Sequence, residues 1–253
     1  MIGDATVDPR EVEFYQNLAA FWWDQTGPFW PLHTLNRLRV NWICAQLSRH
    51  FGTPEIPLKP LEGLRVLDIG CGGGILAESM ARLGGEVTGI DVVEKNINIA
   101  ALHARQQALE IDYRFITTES LADTGARYDV VLNMEVVEHV ADLPAFMASC
   151  NRLVRPGGMM FIATINRTML SWLFAIIGAE YILRWLPRGT HRWREFRKPK
   201  LMKQLLASGG LEVAAQSGVA VNPFNRNFYL SRRMNVNYML AAGQTGSATE
   251  CTA

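Results

Sequence analysis

The sequence predicts an α/β fold, with a mostly parallel sheet covered by helices on both faces. Two observations lead to this prediction. From about residue 65 to residue 231, apolar runs of strand length alternate with longer segments of helical length, which is typical of a parallel sheet. One such run, Arg65–Ile69, leads directly into a glycine-rich turn at residues 70–74, as expected where a buried strand passes into a helix.

Seven strands are predicted, and helices fill most of the connections between them. The strands are Arg65–Ile69, Glu86–Ile90, Tyr113–Ile116, Tyr128–Asn133, Met159–Thr164, Leu211–Gln216 and Asn227–Leu230. The helices are Gly74–Leu83, Val93–Leu109, Leu143–Leu153 and Pro199–Ser208, the last closed by two glycines. Only a loop separates the last two strands, so we expect them to form an antiparallel edge.

The segments on either side of the sheet have different compositions. Residues 1–60 are predicted to form a helical cap of two helices, Pro9–Asp24 and Leu32–Phe51. The dense aromatic group of this cap either packs it onto the sheet or forms a lid over a hydrophobic substrate, and both can hold. Residues 61–240 form the predicted main domain, and residues 241–253 are expected to be a disordered tail.

Composition places the chain among intracellular globular proteins. Apolar residues make up 49% of the sequence, enough for a substantial core. The four cysteines show neither metal-site spacing nor a disulfide framework, as expected in the reducing cytoplasm. The N-terminus contains no cleavable signal pattern, so export is not expected.

The glycine-rich turn predicts a nucleoside site. Glycine has no Cβ, so a ligand can approach the main chain closely. Asp91 follows a second apolar run, Val87–Ile90, which places a carboxylate at the tip of a neighbouring strand where it can bind ribose hydroxyls. Many tight strand-to-helix turns bind no ligand, but the acid at this spacing favours the nucleoside interpretation.

The glycine spacing separates two classes of nucleoside cofactor. Nicotinamide and flavin sites usually contain Gly-x-Gly-x-x-Gly, because a pyrophosphate binds at the helix N-terminus. Here the order is Gly70-x-Gly72-x-Gly74, preceded by Asp68. A carboxylate at that position suits the ammonium and sulfonium groups of S-adenosylmethionine, so methyl transfer is favoured over hydride transfer. Arg39 is a candidate for binding the methionyl carboxylate in a bidentate fork.

These residues resemble the signature of class I S-adenosylmethionine-dependent methyltransferases. Tyr128–Asn133 is similar to the fourth strand of that class, and Leu153–Gly158 to the turn before its fifth strand. The resemblance implies a Rossmann-like, seven-stranded sheet with the cofactor at the carboxyl ends of the strands.

An acidic cluster follows the fourth predicted strand. Their spacing is such that one turn of helix could gather Glu135, Glu138 and His139, at the edge of the sheet where ligands bind. Two carboxylates and an imidazole can hold Mg²⁺, which would lower the pKa of a catechol hydroxyl and orient its oxygen. Alternatively, a carboxylate caps the next helix and His139 alone acts as a general base. The spacing leaves both interpretations open.

An apolar segment with a basic end interrupts the main domain at residues 166–197. Met169–Ala179 is almost entirely apolar, but it is too short to span a bilayer. Three tryptophans and a run of arginines accompany it, a combination typical of a surface that lies on an anionic membrane. A buried core helix is the alternative for the apolar part. The aliphatic bulk argues against nucleic acid as the partner of the basic patch.

Most of the chain resembles the O-methyltransferases of ubiquinone biosynthesis, which methylate polyprenylated catechols. The matching segments are Phe21–Asp24, Pro31–His33, Gly70–Ala81, Met134–Val140, Gly178–Arg184, Gly189–His191, Asn222–Pro223 and Val236–Leu240. The resemblance implies methylation of both 2-polyprenyl-6-hydroxyphenol and 3-demethylubiquinol, and association with the inner face of the membrane and with other enzymes of the pathway.

The same resemblance assigns site residues. It implies that S-adenosylmethionine is bound by Arg39, Gly70, Asp91 and Met134, beside Asp68 and Gly72. It also implies that Glu135, Glu138 and His139 bind Mg²⁺ and that Glu138 and His139 are catalytic. Two other classes remain open: a methyltransferase for water-soluble catechols, and a cofactor-binding partner of a membrane assembly that does not itself catalyse the reaction.

Overall fold

The computed structural model describes residues 6–52, 58–166, 197–222 and 225–244. Over these residues the chain forms one eight-stranded sheet in the order β3-β2-β1-β4-β5-β8-β6-β7. The strands are β1 Arg65–Ile69, β2 Glu86–Asp91, β3 Asp112–Phe115, β4 Tyr128–Met134, β5 Val154–Ile165, β6 Leu211–Val221, β7 Phe228–Ser231 and β8 Asn237–Gln244. The α-helices of the described residues are α1 Pro9–Leu18, α2 Trp30–Phe51, α3 Ile75–Arg82, α4 Glu94–Gln106, α5 Thr118–Asp123, α6 Leu143–Leu153 and α7 Pro199–Ala207.

Strands β1 to β5 form the parallel part of the sheet, as predicted. Strand β1 pairs with β2 on one side and β4 on the other, while β3 and β5 extend the sheet outwards. The chain therefore reverses its direction of progress across the sheet at β1. Ligands of open α/β sheets bind beside the carboxyl ends of the strands at such a reversal.

Strand β8 corrects the prediction of seven strands. It lies antiparallel between β5 and β6, so the sheet has eight strands. Ala241 and Ala242 are fully buried within it. Residues 241–244, predicted as the start of a disordered tail, therefore complete the sheet. The predicted antiparallel edge is confirmed, because β6 pairs with β7 in that orientation.

Two apolar clusters cover the two faces of the sheet. One joins strand residues such as Leu67 to α5, α6 and α7, where Met147 is fully buried. The other joins the opposite face to α2 and α3 through Ile43 and Met80. Removing these side chains from water drives the packing of the helices, and it holds α2 against that face of the sheet.

The N-terminal cap packs against the glycine-rich turn through its aromatic residues. Helix α1 is followed by a 3-10 turn at Ala19–Phe21, so the first helix is shorter than predicted. The Trp22 ring stacks on Phe29 with centroids 3.8 Å apart, and the Trp23 indole N–H donates to the Gly73 carbonyl at 3.0 Å. The cap therefore has the packing role that was one of its two predicted functions.

The insertion predicted at residues 166–197 lies outside the described residues apart from its two ends. The Asn166 amide donates to the Val236 carbonyl at 2.6 Å, and the Arg197 amide donates to the Ile165 carbonyl at 3.1 Å. Both ends are thus held beside the end of β5. Among the helices that the structure describes, none has the length and apolar character needed to cross a membrane.

Candidate active site

A cavity of about 430 Å³ opens at the carboxyl edge of the sheet, under the N-terminal cap. All nine site residues predicted from the sequence line it: Arg39, Asp68, Gly70, Gly72, Asp91, Met134, Glu135, Glu138 and His139. They come from α2, from the ends of β1, β2 and β4, and from the segments that follow those strands. The topology therefore brings the predicted residues to one place.

The glycine-rich turn needs its glycines for both conformation and space. Gly70, Gly72 and Gly74 have φ angles of +64°, +54° and +89°, a region that residues with a Cβ rarely adopt. A Cβ on Gly70 would approach Val136 Cγ2 to 2.6 Å. The absence of Cβ atoms therefore lets neighbouring side chains pack tightly on the turn, which lines the cavity through Gly70 and Gly72.

Asp91 is held at the tip of β2 by the same turn. Its Oδ2 accepts the Gly72 amide at 2.9 Å, and its Oδ1 accepts the Val93 amide at 2.8 Å. Burial raises the pKa of this carboxyl, and the backbone hydrogen bonds partly oppose that effect. These bonds orient the carboxylate towards the cavity that it lines.

Two buried polar atoms of opposite character in this cavity wall have no hydrogen-bond partner among the residues that the structure describes. They are Oδ2 of Asp68 and Nε of Arg39, on side chains that are 3% and 5% exposed as residues. A buried polar atom without a partner is costly, and a ligand group that bonded to it would remove that cost. The pKa of Asp68 is raised to about 7, because the effect of burial exceeds the opposing effect of the Arg39 charge. An ammonium beside Asp68 and a carboxylate beside Arg39 would satisfy both atoms, and S-adenosylmethionine carries both groups.

Glu135 forms an ion pair with Arg39 through its Oε1 and the Arg39 Nη2. Its backbone has a φ angle of +59°, unusual for a residue with a Cβ, and its amide donates to the Ala163 carbonyl at 2.8 Å. Glu135 thus turns its carboxylate towards α2.

Glu138 is buried, with an exposed fraction of 5%. Its Oε2 accepts the Thr164 hydroxyl at 2.8 Å. Burial, with a smaller effect from the charge of Glu135, raises the pKa of Glu138 to about 7. The carboxyl is therefore held by β5 on the floor of the cavity.

His139 lies between two side chains of α1. Its Nδ1 is 2.9 Å from Glu11 Oε2, and its Nε2 is 3.2 Å from the Tyr15 hydroxyl. Burial lowers the pKa of His139, but the Glu11 hydrogen bond and the nearby carboxylates outweigh it, so the net shift is upwards. Burial and the same carboxylates raise the pKa of Tyr15, which keeps its hydroxyl protonated.

The predicted Mg²⁺ ligands do not fit a metal ion in this arrangement. Glu135 is turned to Arg39, Glu138 to Thr164, and His139 to Glu11 and Tyr15. Across the described ranges, no group of three His, Cys, Asp or Glu side chains could hold a metal ion. The three residues adjoin one cavity without converging on one point that a metal ion could occupy.

The sequence did not reveal Glu11 and Tyr15 as site residues. They precede His139 by 128 and 124 residues, so no local motif connects them to it. Their four-residue spacing places them on one face of a helix, which was the available signal.

Comparison with known proteins agrees with this geometry. The methyltransferase domain family matches residues 43–216. Magnesium protoporphyrin IX methyltransferase from Synechocystis, solved with bound S-adenosylhomocysteine, superposes with a TM-score of 0.62 and 19% identity, over 92% of this chain and 94% of that one. A methyltransferase structure from Aquifex aeolicus superposes with a TM-score of 0.56 and 14% identity, over 94% of this chain and 99% of that one. The fold and the site define a class I S-adenosylmethionine-dependent methyltransferase.

Relatives of higher identity identify the family. The ubiquinone biosynthesis O-methyltransferase of Sinorhizobium medicae is 52% identical over 237 residues, covering 94% of this chain and 96% of the relative. That of Mesorhizobium japonicum is 50% identical over 238 residues, covering 94% and 96%. The chain belongs to the ubiquinone biosynthesis O-methyltransferase family.

Proposed function

We propose that the protein transfers the methyl group of S-adenosylmethionine to polyprenylated catechols of ubiquinone biosynthesis, namely 2-polyprenyl-6-hydroxyphenol and 3-demethylubiquinol. The observation that supports this best is the cavity itself. Its glycine-rich turn, Asp91 and the partnerless atoms of Asp68 and Arg39 form one wall, while His139 adjoins the same space. The names of the relatives supply the substrate class.

The proposed cofactor position follows from the chemistry of the wall. Asp91 binds ribose hydroxyls, Asp68 binds the ammonium, and Arg39 binds the methionyl carboxylate, with Met134 alongside. Because Arg39 is paired with Glu135, the cofactor carboxylate competes with Glu135 for the guanidinium. Gly70 and Gly72 let the cofactor lie against the main chain.

The reaction is a displacement at the methyl carbon. A catechol oxygen forms a bond to the methyl group as the carbon–sulfur bond breaks, and S-adenosylhomocysteine leaves with the electron pair. The catechol proton passes to Nε2 of His139. Glu138 stabilises the resulting imidazolium, since its charge favours protonated His139. Holding the oxygen and the methyl carbon about 3–3.5 Å apart and in line supplies much of the rate.

A labelled-methyl assay tests this function. Purified protein, methyl-labelled S-adenosylmethionine and a short-tailed prenyl catechol should give a labelled, extractable ether, because the catechol offers a nucleophilic oxygen. The same ring with both oxygens already methylated is the matched control and should take up no label. Turnover of water-soluble catechols but never of prenylated ones would contradict the proposed substrate class.

Repeating the assay with EDTA separates the two interpretations of the acidic cluster. In the geometry described, His139 accepts the proton without a metal, so turnover should persist. Complete loss on metal removal, reversed by Mg²⁺, would instead support the predicted metal role of Glu135, Glu138 and His139.

The prenyl tail of such a substrate resides in the membrane, and we propose that residues 166–197 bring the enzyme to its anionic inner face. Apolar, tryptophan-rich and arginine-rich composition supports this role. The enzyme is then a cytoplasmic, peripheral protein positioned to meet other enzymes of the pathway. It should cosediment with anionic vesicles, less at high salt. Undiminished binding after deletion of residues 171–187 would contradict the assignment.

A further inference from the structure

Helix α1 contributes a carboxylate and a phenol to the two ring nitrogens of His139. Glu11 and Tyr15 are four residues apart, so they project from one face of the helix. Glu11 Oε2 is 2.9 Å from Nδ1, and the Tyr15 hydroxyl is 3.2 Å from Nε2. The Tyr15 and His139 rings meet edge to face, with centroids 5.5 Å apart. The imidazole is therefore bracketed on both sides.

Several backbone contacts hold α1 in this position. Asp8 caps the helix by accepting the Arg10 amide at 2.9 Å. Just before it, Val7 forms a bridge with Val140, and the Thr6 carbonyl accepts the Ala141 amide at 2.8 Å. The chain entering α1 is thus paired with the residues that directly follow His139. The first turn of α1, which carries Glu11, has a fixed register relative to the imidazole.

The chemistry of a carboxylate determines the tautomer of the ring. Ionised Glu11 can only accept a hydrogen bond, so Nδ1 of His139 carries the proton. In the neutral ring Nε2 is then the acceptor, and the protonated Tyr15 hydroxyl donates to it. A phenolic O–H therefore already points at the nitrogen that must receive the proton of a phenolic substrate.

We propose that Glu11 is the positioning residue for His139: it holds the imidazole as the Nδ1–H tautomer with Nε2 available to a phenolic hydroxyl. The substrate hydroxyl takes the place of Tyr15 on Nε2, and its proton moves there as the methyl group is transferred. This inference rests on the proposed function. Glu11 lies outside residues 43–216, the part that matches the methyltransferase domain family. The N-terminal cap therefore supplies part of the catalytic arrangement as well as packing.

The test compares variants on one helix. Glu11→Ala should lower kcat by about 10- to 100-fold, which is part of the contribution of about 10²- to 10⁴-fold that a positioned general base makes, because the imidazole loses the group that orients it. Binding of S-adenosylhomocysteine should stay unchanged, because Glu11 contacts the imidazole and not the proposed cofactor wall. Glu11→Gln should recover part of the loss, since the amide oxygen still accepts from Nδ1–H. Glu13→Ala, an exposed carboxylate on the same helix, is the matched control and should behave as the wild type.

A spectroscopic measurement keeps the inference separate from turnover. The ring ¹⁵N chemical shifts of His139, assigned by their loss in His139→Gln, should show the Nδ1–H tautomer in the wild type, in Tyr15→Phe and in Glu13→Ala. They should move towards the Nε2–H tautomer in Glu11→Ala. This shift without turnover of any catechol by the wild type would support the positioning role and contradict the proposed function. An unchanged tautomer and an unchanged kcat in Glu11→Ala would overturn the inference. A loss of affinity for S-adenosylhomocysteine as large as the loss of kcat would also overturn it.

Discussion

Replacing Asp91 with alanine should weaken binding of S-adenosylhomocysteine by about 100-fold or more. A hydrogen bond to a charged group contributes about 1.5–3 kcal/mol. The Asp91 carboxylate would bind two ribose hydroxyls, and since about 1.4 kcal/mol corresponds to a tenfold change in affinity, losing both bonds weakens binding by about 100-fold or more. The same carboxylate accepts the Gly72 and Val93 amides, so its removal also releases the glycine-rich turn. Both effects act in the same direction. Isothermal titration calorimetry measures the result.

A shape-conserving variant separates ligand contact from support of the turn. Asp91→Asn keeps one oxygen as an acceptor and should lose less affinity than Asp91→Ala. Glu86→Ala, at the opposite end of the same strand and exposed, is the control that should bind normally. Thermal unfolding of each variant checks that the fold persists. Wild-type affinity in a folded Asp91→Ala protein would refute the ribose contact.

Replacing His139 with alanine should lower kcat by about 10²- to 10⁴-fold, which is the usual contribution of a positioned general base. The effect should fall on kcat and leave the dissociation constant of S-adenosylhomocysteine nearly unchanged. The reason is that His139 contacts Glu11 and Tyr15, while Asp68, Arg39 and Asp91 supply the proposed cofactor contacts. Initial rates with a prenyl catechol, together with calorimetry, separate the two quantities.

His50→Gln provides the matched histidine control. His50 is exposed and contacts the Gly157 carbonyl at 2.9 Å, away from the residues that line the cavity. The kcat of the His50→Gln variant should equal that of the wild type. If His139→Ala retained wild-type kcat, neither a base nor a metal ligand at this position could be part of the mechanism.

The centre of the fold and most of the candidate site could be predicted from the sequence, because local patterns carry that information. The buried run ending at Ile69, the positive-φ glycines and the acid at the end of β2 are all encoded within about 25 residues. In a parallel sheet, consecutive strands place their carboxyl ends at one edge. That rule is enough to place Asp68, Asp91 and Glu138 at the same edge of the sheet, where all three line the cavity.

The parts that were missed depend on contacts between distant residues. Strand β8 contains Ala241, Ala242 and Gly243, which have weak strand propensity, and only its burial between β5 and β6 makes it a strand. The pairing of Glu11 with His139 joins residues 128 positions apart. The orientation of the Glu135 carboxylate, towards Arg39 and away from a shared metal position, likewise depends on where α2 packs.

Direct titration tests whether the cavity at the carboxyl edge of the sheet binds an S-adenosyl compound. Calorimetry of the folded wild-type chain with S-adenosylhomocysteine should show saturable heat that fits one site per chain. The same titration with NADH should show none, because the Asp68 carboxylate beside the glycine-rich turn disfavours a pyrophosphate there. Absence of heat with S-adenosylhomocysteine, in a protein whose thermal unfolding is cooperative, would show that this cavity is not a cofactor site.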